Sequence, residues 1–316
     1  MRVKFHLPGL RYNYPLNMMV LDMLKKYPEF FRPGLEIASI FGEFPTSRWN
    51  GGRFCEGDQC DAGFIRNVVK AINDQGVPIR YTYTNPLLNQ SDLDDAYCNF
   101  CMQVADNGMN EVLVVSPVLE EYIREKYPSY KINSSTCKEI RDIDALNEEL
   151  AKDYSLVVLD YNFNNQFDLL EKIERKDKCE ILVNACCVPN CPRRGEHYRQ
   201  IAKQQNIVLK NRKMPPDKQI PVPGWYCEYG DKNTYYSIQN YPTFVSPDDI
   251  WEKYVPMGFE NYKIEGRTAN LFGLIDKYAH YLMKPERRDE GRLFLTVNLE
   301  NSKVIQVGKP RRGVWP

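Results

Sequence analysis

The strongest constraint on the fold is a regular alternation of short apolar runs with helix-length segments. The apolar runs predict strands at 3–7, 35–41, 79–84, 111–116, 130–134, 155–160, 179–184 and 260–264. Helical patterns lie between them, with examples at 64–74, 92–107, 118–126, 142–153, 166–175 and 194–205. Parallel strands require crossovers of this length. Eight such units favour a closed (β/α)8 TIM-like barrel of the α/β class over a doubly wound sheet.

Two segments depart from the alternation. The insertion at 185–259, between the seventh and eighth strands, is far longer than one crossover helix needs, and it is rich in Cys, Pro and aromatic residues. After it, 268–283 has the pattern of an amphipathic helix. The alternating Leu293, Leu295, Val297 and Leu299 then predict a half-buried strand, with 303–307 as its hairpin partner. We therefore predict a barrel over 1–285 and a C-terminal β extension with a basic tail over 286–316.

Composition and charge limit the class of protein. Of 316 residues, 43% are apolar and 27% charged, which is typical of a globular chain. Forty-two Lys and Arg balance 42 Asp and Glu, so the formal net charge of +0 gives no overall attraction to nucleic acid or anionic membranes. We find no apolar run near the roughly 18 residues of a membrane span, and no secretory signal. A cytoplasmic protein with reduced thiols and no membrane partner is expected.

Clustered cysteines are the sharpest chemical signal. A turn at 184–192 begins where the seventh strand should end, and it carries three of the ten cysteines. The candidate ligands of a metal centre are Cys186, Cys187, Cys191 and, farther along, Cys227. Four thiolates suit either Zn2+ or an iron–sulfur cluster, and spacing alone does not separate the two. Adjacent Cys186 and Cys187 both reach one metal only if the chain turns there, so Cys55 or Cys60 could complete the set instead. The alternative is that these cysteines are buried thiols that bind no metal and take part in no redox reaction.

A second group of polar residues ends the eighth strand. Period-2 alternation places Lys263, Glu265 and Arg267 on one side at the barrel mouth. A lysine, a carboxylate and an arginine there could bind an anionic substrate and move a proton. The alternative is a solvated ion-pair stretch that closes the barrel.

Other strand-end residues are candidates for substrate binding. Arg48 and Arg53 flank a Gly pair after the second strand and could recognise a phosphate or carboxylate, although a Gly pair is usually only a turn. Asn85 and Ser134 follow the third and fifth strands and could line the same pocket. His197, just after the cysteine turn, is more often structural than catalytic.

Taken together, these motifs resemble the collagenase-like peptidase family U-32. The segment 258–267 ends in Lys-Ile-Glu-Gly-Arg and is similar to that family's signature. Thr84 and Asn85, the segment 112–117, the Ser-Thr turn at 133–136 and the position of the cysteine turn are supporting matches. The resemblance covers nearly all of 1–285.

The resemblance implies a (β/α)8-like barrel that holds a [4Fe–4S] cluster on cysteines. Several members of the family act in oxygen-independent hydroxylation of ubiquinone precursors or of RNA bases. Carried over, the cluster ligands would be Cys186 or Cys187, Cys191 and Cys227, and the pocket residues would be Lys263, Glu265 and Arg267. The family spreads its first cysteines farther apart and has another about 17 residues on, whereas this chain has none between 192 and 226. The fourth ligand is therefore open.

Three functions follow from these observations as hypotheses. The leading one is an iron–sulfur oxidoreductase, an oxygen-independent hydroxylase or related modifying enzyme, acting on a small aromatic, nucleobase or RNA substrate. The second is a peptidase, although the sequence shows no recognisable Ser or Cys nucleophile paired with His and no zinc-binding helix motif. The third is a non-catalytic iron–sulfur subunit that works with a partner protein of the same family, or that contacts RNA through the basic tail at 309–316.

Overall fold

The protein is a closed barrel of eight parallel strands. The computed structural model describes residues 2–53, 57–230, 233–267 and 269–305. The strands follow one another around the barrel in chain order, and the last pairs with the first. They are β1 (Val3–Pro8), β2 (Leu35–Gly42), β3 (Ile79–Tyr83), β4 (Glu111–Val114), β5 (Lys131–Ser134), β6 (Leu156–Val158), β7 (Cys179–Leu182) and β8 (Asn261–Lys263). Each overlaps its predicted run, and the predicted (β/α)8 class is confirmed.

Helices alternate with the strands and cover the outside of the barrel. Within the described ranges they are α1 (Tyr14–Lys26), α2 (Ala62–Asn73), α3 (Ala96–Val104), α4 (Pro117–Lys126), α5 (Ile143–Ala151), α6 (Phe167–Leu170), α7 (Arg194–Asn211), α8 (Pro247–Asp249), α9 (Leu271–Leu282) and α10 (Arg288–Asn301). Their starts follow ordinary capping rules: Asp61 caps α2 and Asp142 caps α5 by accepting backbone N–H groups. The predicted helix at 166–175 is shorter than expected, since α6 ends at Leu170.

Inside the barrel, the strands carry a layer of buried charge. Arg80 of β3 and Glu180 of β7 are completely buried and paired with each other. His6 of β1 is buried beside them, and Arg80 Nε is 2.6 Å from Glu111 Oε2. Buried charges are tolerated when they are paired and hydrogen-bonded. This layer lies directly below the residues at the mouth of the barrel, because Lys263 at the end of β8 contacts Glu180.

The insertion between β7 and β8 is anchored to the barrel by side-chain amides. Asn164, after β6, donates to the carbonyl oxygens of Leu182 at 2.9 Å and Thr243 at 2.7 Å. The insertion itself contains α7, which runs beyond the predicted end at 205, a Pro-rich connection without a helix longer than one turn, and α8, which continues as a π-helical turn at Ile250–Tyr254.

The predicted C-terminal strand is wrong, because 288–301 forms α10. Leu295 and Leu299 are fully buried, while Leu293 is 64% exposed and Val297 41% exposed. Leu295 and Leu299 are four residues apart, so a helix brings them onto one buried face. The strand prediction placed all four apolar residues on one buried face, but only Leu295 and Leu299 are buried. The prediction of a β extension at 286–316 is therefore corrected, because residues 288–301 form a helix.

The predicted hairpin partner at 303–307 is also absent over its described residues. Residues 303–305 form a turn after α10 and contain no strand. The rest of that segment and the basic tail at 309–316 lie outside the described residues. Among the helices that the structure describes, none combines the length and apolar character needed to cross a bilayer.

Candidate functional site

Two adjoining cavities open at the carboxyl ends of the barrel strands. The smaller has a volume of about 100 Å³ and an apolar floor made by Phe41, Leu113 and Leu182. The larger has a volume of about 400 Å³ and extends from there toward the cysteine turn. Both are lined by Arg53, Leu182, Tyr198, Glu265, Gly266 and Arg267. Active sites of (β/α)8 enzymes are found at this face of the barrel.

Lys263 stands at the floor of the smaller cavity. It is the last residue of β8 and is only 7% exposed. Its Nζ lies 3.1 Å from Glu180 Oε1 and 4.1 Å from the centroid of the Phe41 ring. Burial lowers the pKa of Lys263 to about 8, although the carboxylate of Glu180 opposes that shift. The amine therefore changes charge close to neutral pH.

The buried layer below Lys263 fixes the charge of its partner. Burial favours the neutral form of Glu180, but Arg80, His6 and Lys263 together hold the pKa of Glu180 well below its ordinary value. His6 Nε2 is 3.3 Å from Glu180 Oε2. Burial lowers the pKa of His6 to about 4, so its imidazole is neutral at pH 7. Glu180 is thus a permanent carboxylate under the cavity.

Glu265 ties the end of β8 to the cysteine turn. Its Oε2 accepts a hydrogen bond from the backbone N–H of Cys186 at 2.8 Å, and its Oε1 is paired with Arg53. Its own backbone N–H donates to Asn184 Oδ1 at 2.7 Å, and its carbonyl accepts from Asn184 Nδ2 at 3.2 Å. These bonds fix the course of the chain at the start of the cysteine turn.

Arg267 forms a wall shared by the two cavities. Its Nη1 donates to Glu43 Oε2 at 2.7 Å and to Thr82 Oγ1 at 2.6 Å, and its Nη2 donates to the carbonyl of Gly51 at 2.9 Å. Gly52 has φ +71°, and a Cβ there would lie 3.1 Å from Arg267 Nη2. A glycine is therefore favoured at this position both by its backbone conformation and by the close approach of the guanidinium.

The structure brings together the residues predicted at the end of β8 and most of the cysteines. Lys263, Glu265 and Arg267 all line the smaller cavity. Cys186, Cys187 and Cys227 line the larger one. Cys191 is buried and close enough to Cys187 for the two thiols to interact, and burial raises the pKa of Cys187. Arg53, predicted as a substrate-binding residue, lines both cavities.

Cys227 is positioned by aromatic stacking two residues earlier in the chain. The Trp225 ring is stacked on the ring of His197 at 4.9 Å, nearly parallel to it. The guanidinium of Arg193 lies 4.3 Å from the same indole centroid. His197 and Arg193 belong to the start of α7, so this contact holds the segment before Cys227 against that helix. His197 therefore has a packing role, in addition to lining the larger cavity.

The cysteines suit a metal–sulfur group by donor type, and most of them line one cavity. Three thiols line one cavity, which also carries the cationic side chains of Arg53, Arg194 and Lys277. Positive charge of this kind favours thiolates. In the parts of the chain that the structure describes, no three Cys, His, Asp or Glu side chains are close enough to hold a metal ion. The thiols would therefore have to move toward one another on binding the group.

Of the two alternative cysteine ligands, Cys60 is not at this cavity. Cys60 lies near Tyr97 of α3, whose hydroxyl accepts a hydrogen bond from the Cys60 backbone N–H at 3.0 Å. It is not a lining residue of either cavity. Cys55 lies outside the described residues.

The substrate-binding predictions for Arg48, Asn85 and Ser134 need correction, because none of the three lines either cavity. Arg48 Nη1 is bound to Asp92 at 2.9 Å, so its guanidinium is directed away from the mouth. Asn85 is fully buried and donates to the Arg48 carbonyl at 2.9 Å. The buried Ser134 hydroxyl donates to Glu149 at 2.6 Å. All three are structural hydrogen-bonding residues.

Several lining residues were not predicted from the sequence. They are Thr82, Cys137, Arg194, Tyr198 and Lys277. Arg194 is paired with Asp160, and its guanidinium lies 4.5 Å from the Tyr161 ring centroid. Thr82 lies in β3 beside Thr84, and its position near a strand end is a signal that could have found it. Tyr198 and Lys277 lie on helices, where the sequence gives no comparable signal.

Comparisons with known proteins find limited similarity in sequence and in structure. A curated protein of Methanocaldococcus jannaschii, named as an uncharacterized protease, is 28% identical over 120 residues, so the match spans 35% of this chain and 35% of that relative. The solved structure of a U32 peptidase has a TM-score of 0.48 at 11% identity, and the match covers 84% of this chain and 94% of that chain. No sequence model of a protein family matches. The protease name of the curated relative is in keeping with the sequence resemblance to family U-32.

Proposed function

We propose that the chain is an iron–sulfur enzyme of oxidoreductase type, an oxygen-independent hydroxylase or related modifying enzyme, with its substrate in the smaller cavity. The observation that supports this most strongly is the adjacency of the two cavities. Cys186, Cys187 and Cys227 line the larger one, and Lys263 forms the floor of the smaller one. Glu265 and Arg267 form the boundary that the two share.

The cluster would be held by Cys186, Cys187, Cys191 and Cys227. A bound cluster would supply electron transfer, or a Lewis-acidic iron, next to the substrate. The protein contributes the cationic surroundings that offset the thiolate charge, from Arg53, Arg194 and Lys277. Glu265 keeps the backbone at Cys186 in place through its hydrogen bond to the N–H group.

Lys263 would bind and orient the substrate. With a pKa of about 8, its Nζ is mostly protonated at pH 7 and can still exchange a proton near neutrality. An anionic group of the substrate would be attracted to this ammonium group, while Glu180 fixes its position from below. Arg267 and Glu265 are bound to protein partners, so their first role is to hold the walls of the cavity.

The dimensions and lining of the smaller cavity favour a small, partly apolar molecule. About 100 Å³ of space is bounded by Phe41, Leu113 and Leu182 below and by the hydroxyl groups of Thr84 and Thr136 at the side. Small-molecule sites combine such apolar floors with a few polar groups. A small aromatic acid or a nucleobase fits this description better than a peptide backbone does.

The peptidase alternative has less support from the geometry. Ser39 Oγ lies 2.8 Å from His6 Nδ1, and His6 lies beside Glu180. All three are at most 1% exposed inside the barrel, so a peptide bond has no access to the serine. His197 lines the larger cavity, but its ring is stacked on Trp225. The protease name of the curated relative remains the main argument for this alternative.

Anaerobic purification with an absorbance spectrum and iron and sulfide analysis tests the proposal. The wild-type protein is expected to be brown, with broad absorption near ~400 nm and about four irons per chain. Cys187→Ala should lose most of that iron. The matched control is Cys179→Ala: Cys179 is a buried thiol of β7 whose Sγ lies 3.4 Å from the Arg175 carbonyl, and it should leave the iron content unchanged.

Other outcomes would redirect the interpretation. Stoichiometric zinc in a colourless protein would overturn the redox mechanism and leave a structural or Lewis-acid metal. Loss of iron in both variants equally would show that the cysteines act through folding. A metal-free protein that cleaves gelatin would support the peptidase alternative, and a metal-free protein without cleavage would favour the binding-subunit hypothesis.

A further inference from the structure

A cluster of positively charged and hydrogen-bond-donating side chains lies outside the barrel, away from the candidate site. It is formed where the loop before β2, the insertion, the end of α9 and the start of α10 meet. Its members are Arg32, Tyr235, His280, Arg288 and Arg292. None of them lines either cavity at the barrel mouth.

Contacts show that these side chains are close together. Arg288 Nη2 donates to the carbonyl of His280 at 3.1 Å, and the His280 and Tyr235 rings meet edge to face with centroids 6.1 Å apart. Arg32 approaches from another side: its Nη2 donates to Asp248 at 2.8 Å, and its charge acts on both His280 and Arg288.

Four buried polar atoms in this cluster have no hydrogen-bond partner in the described parts of the chain. They are Arg32 Nε, Tyr235 Oη, His280 Nε2 and Arg288 Nε; a fifth buried atom, Arg292 Nε, makes no well-formed hydrogen bond but lies 2.9 Å from Asp276 Oδ1. The two guanidinium nitrogens and the tyrosine hydroxyl are donors, and His280 Nε2 is a donor in one of its two tautomers. Buried polar groups are almost always satisfied, so such a concentration indicates a missing acceptor.

Local charges indicate that the missing acceptor is negative. Three guanidinium groups face Asp248, Asp276 and Asp289, but Asp248 is 68% exposed and Asp289 is 98% exposed, so water screens both of these carboxylates. Asp276 is also shared, because it accepts from the Tyr236 hydroxyl at 2.9 Å. Burial and the neighbouring Arg32 lower the pKa of Arg288 below its ordinary value, which is the reverse of what a well-paired arginine shows.

We propose that the Arg32–Tyr235–His280–Arg288–Arg292 cluster is a binding site for a phosphate-type oxyanion. The planar guanidinium donors of arginine match the oxygens of a phosphate group, and a tyrosine hydroxyl and an imidazole N–H add two neutral donors. Arg292 is 37% exposed, so the cluster reaches the surface on that side. The shared chemistry is the phosphate group, either as the free ion or as a phosphate ester.

The test compares thermal unfolding of the full chain in chloride and in phosphate at equal ionic strength. Inorganic phosphate should raise the unfolding temperature of the wild type in a saturable way, because a ligand that binds only the folded state stabilises it. Arg288→Gln should weaken phosphate binding roughly tenfold or more, since it removes a charge-assisted donor. The matched control is the adjacent Arg287→Gln: Arg287 is 43% exposed and paired with Glu290, so this variant should bind like the wild type.

Two further measurements test the proposal if Arg288→Gln does not fold, and distinguish the free ion from a phosphate ester. Titration of the wild type with phosphate, followed by the 31P resonance, detects binding even where Arg288→Gln does not fold, and His280→Gln then serves as the second variant. Glycerol 3-phosphate distinguishes the sources: tighter binding than inorganic phosphate indicates an ester ligand, and equal or weaker binding indicates the free ion. The proposal is overturned if phosphate stabilises the wild type no more than chloride does, or if Arg288→Gln and His280→Gln both keep the wild-type affinity.

Discussion

Glu265 Oε2 accepts a 2.8 Å hydrogen bond from the backbone N–H of Cys186, and this bond joins the segment after β8 to the cysteine turn after β7. The two residues are far apart in the chain but lie at the ends of neighbouring strands. The residues expected to hold a cluster and those expected to bind substrate are therefore parts of one connected structure.

Replacing Glu265 by alanine should disturb the cysteine turn more than replacing it by glutamine. Glu265→Ala leaves the Cys186 N–H without its acceptor and Arg53 without its carboxylate, which should cost about 1–3 kcal/mol of unfolding free energy and lower the iron content. Glu265→Gln keeps an acceptor oxygen and should retain most of the iron. Urea unfolding and iron analysis on both variants check this. Equal iron in Glu265→Ala and wild type would contradict a role for this bond in ordering the turn.

Lys263 should titrate near pH 8, well below the ordinary lysine value of 10.5. In protein labelled with 13C at lysine Cε, one resonance should move with a midpoint of about 8 and should be missing from Lys263→Met. Binding of an anionic substrate should weaken as the pH rises through this value, because the ammonium group loses its charge. A spectrum in which every lysine titrates above pH 10 would contradict the burial of this amine beside Glu180.

The same pKa predicts how stability depends on pH. The pKa of Lys263 is about 8 in the folded chain and 10.5 without burial, so between these values the unfolded chain binds more protons. Relative to Lys263→Met, the wild type should therefore gain stability between pH 8 and 10.5, by at most about 3–4 kcal/mol. Below pH 8 both states are protonated, and the difference should be constant. Chemical denaturation at pH 7, 8 and 9.5 measures it.

Glu180→Gln should be strongly destabilising. It would leave Arg80 and Lys263 buried with less compensating charge, and breaking a buried pair costs about 3–5 kcal/mol. The matched control is Glu36→Gln on β2, because the Glu36 side chain is 49% exposed and its ion pair with Arg2 spans 3.5 Å. That change should stay within about 0.5 kcal/mol. Similar unfolding free energies for the two variants would contradict the buried pairing.

Alanine substitutions can distinguish the C-terminal helix α10 from the strand predicted for the same residues. Leu295→Ala and Leu299→Ala should each cost about 2–5 kcal/mol, because both side chains are fully buried. Leu293→Ala should change stability by less than about 0.5 kcal/mol, because Leu293 is 64% exposed. Thermal unfolding of the three variants gives the answer. A half-buried strand would instead make Leu293 as sensitive as Leu295.

The barrel could be predicted because strands buried on both faces are short, apolar and separated by helix-length segments. Its C-terminal helix could not, because Leu295 and Leu299 fit both a period of two and a spacing of four residues. Only burial against the rest of the fold distinguishes the two interpretations.

The site was predictable where it depends on strand ends and not where it depends on loop contacts. Lys263 and the cysteine turn follow directly from the positions of β8 and β7. Arg48 was misassigned because its direction is set by Asp92, a residue more than 40 positions away, and no local pattern shows that contact. Charged residues within apolar strands, such as Arg80 and Glu180, were a signal of the buried layer that the sequence already contained.

The pairing of β1 with β8 has a consequence for folding during synthesis. One edge of β1 pairs with β2, but on the other edge Lys4, Phe5 and His6 pair with Asn261, Tyr262 and Lys263, more than 250 residues later. During synthesis, one edge of the first strand therefore stays unpaired until the eighth strand has left the ribosome, and exposed strand edges are sites of aggregation. We expect the nascent chain to depend on chaperones until that moment, and its folding to be completed in one late step.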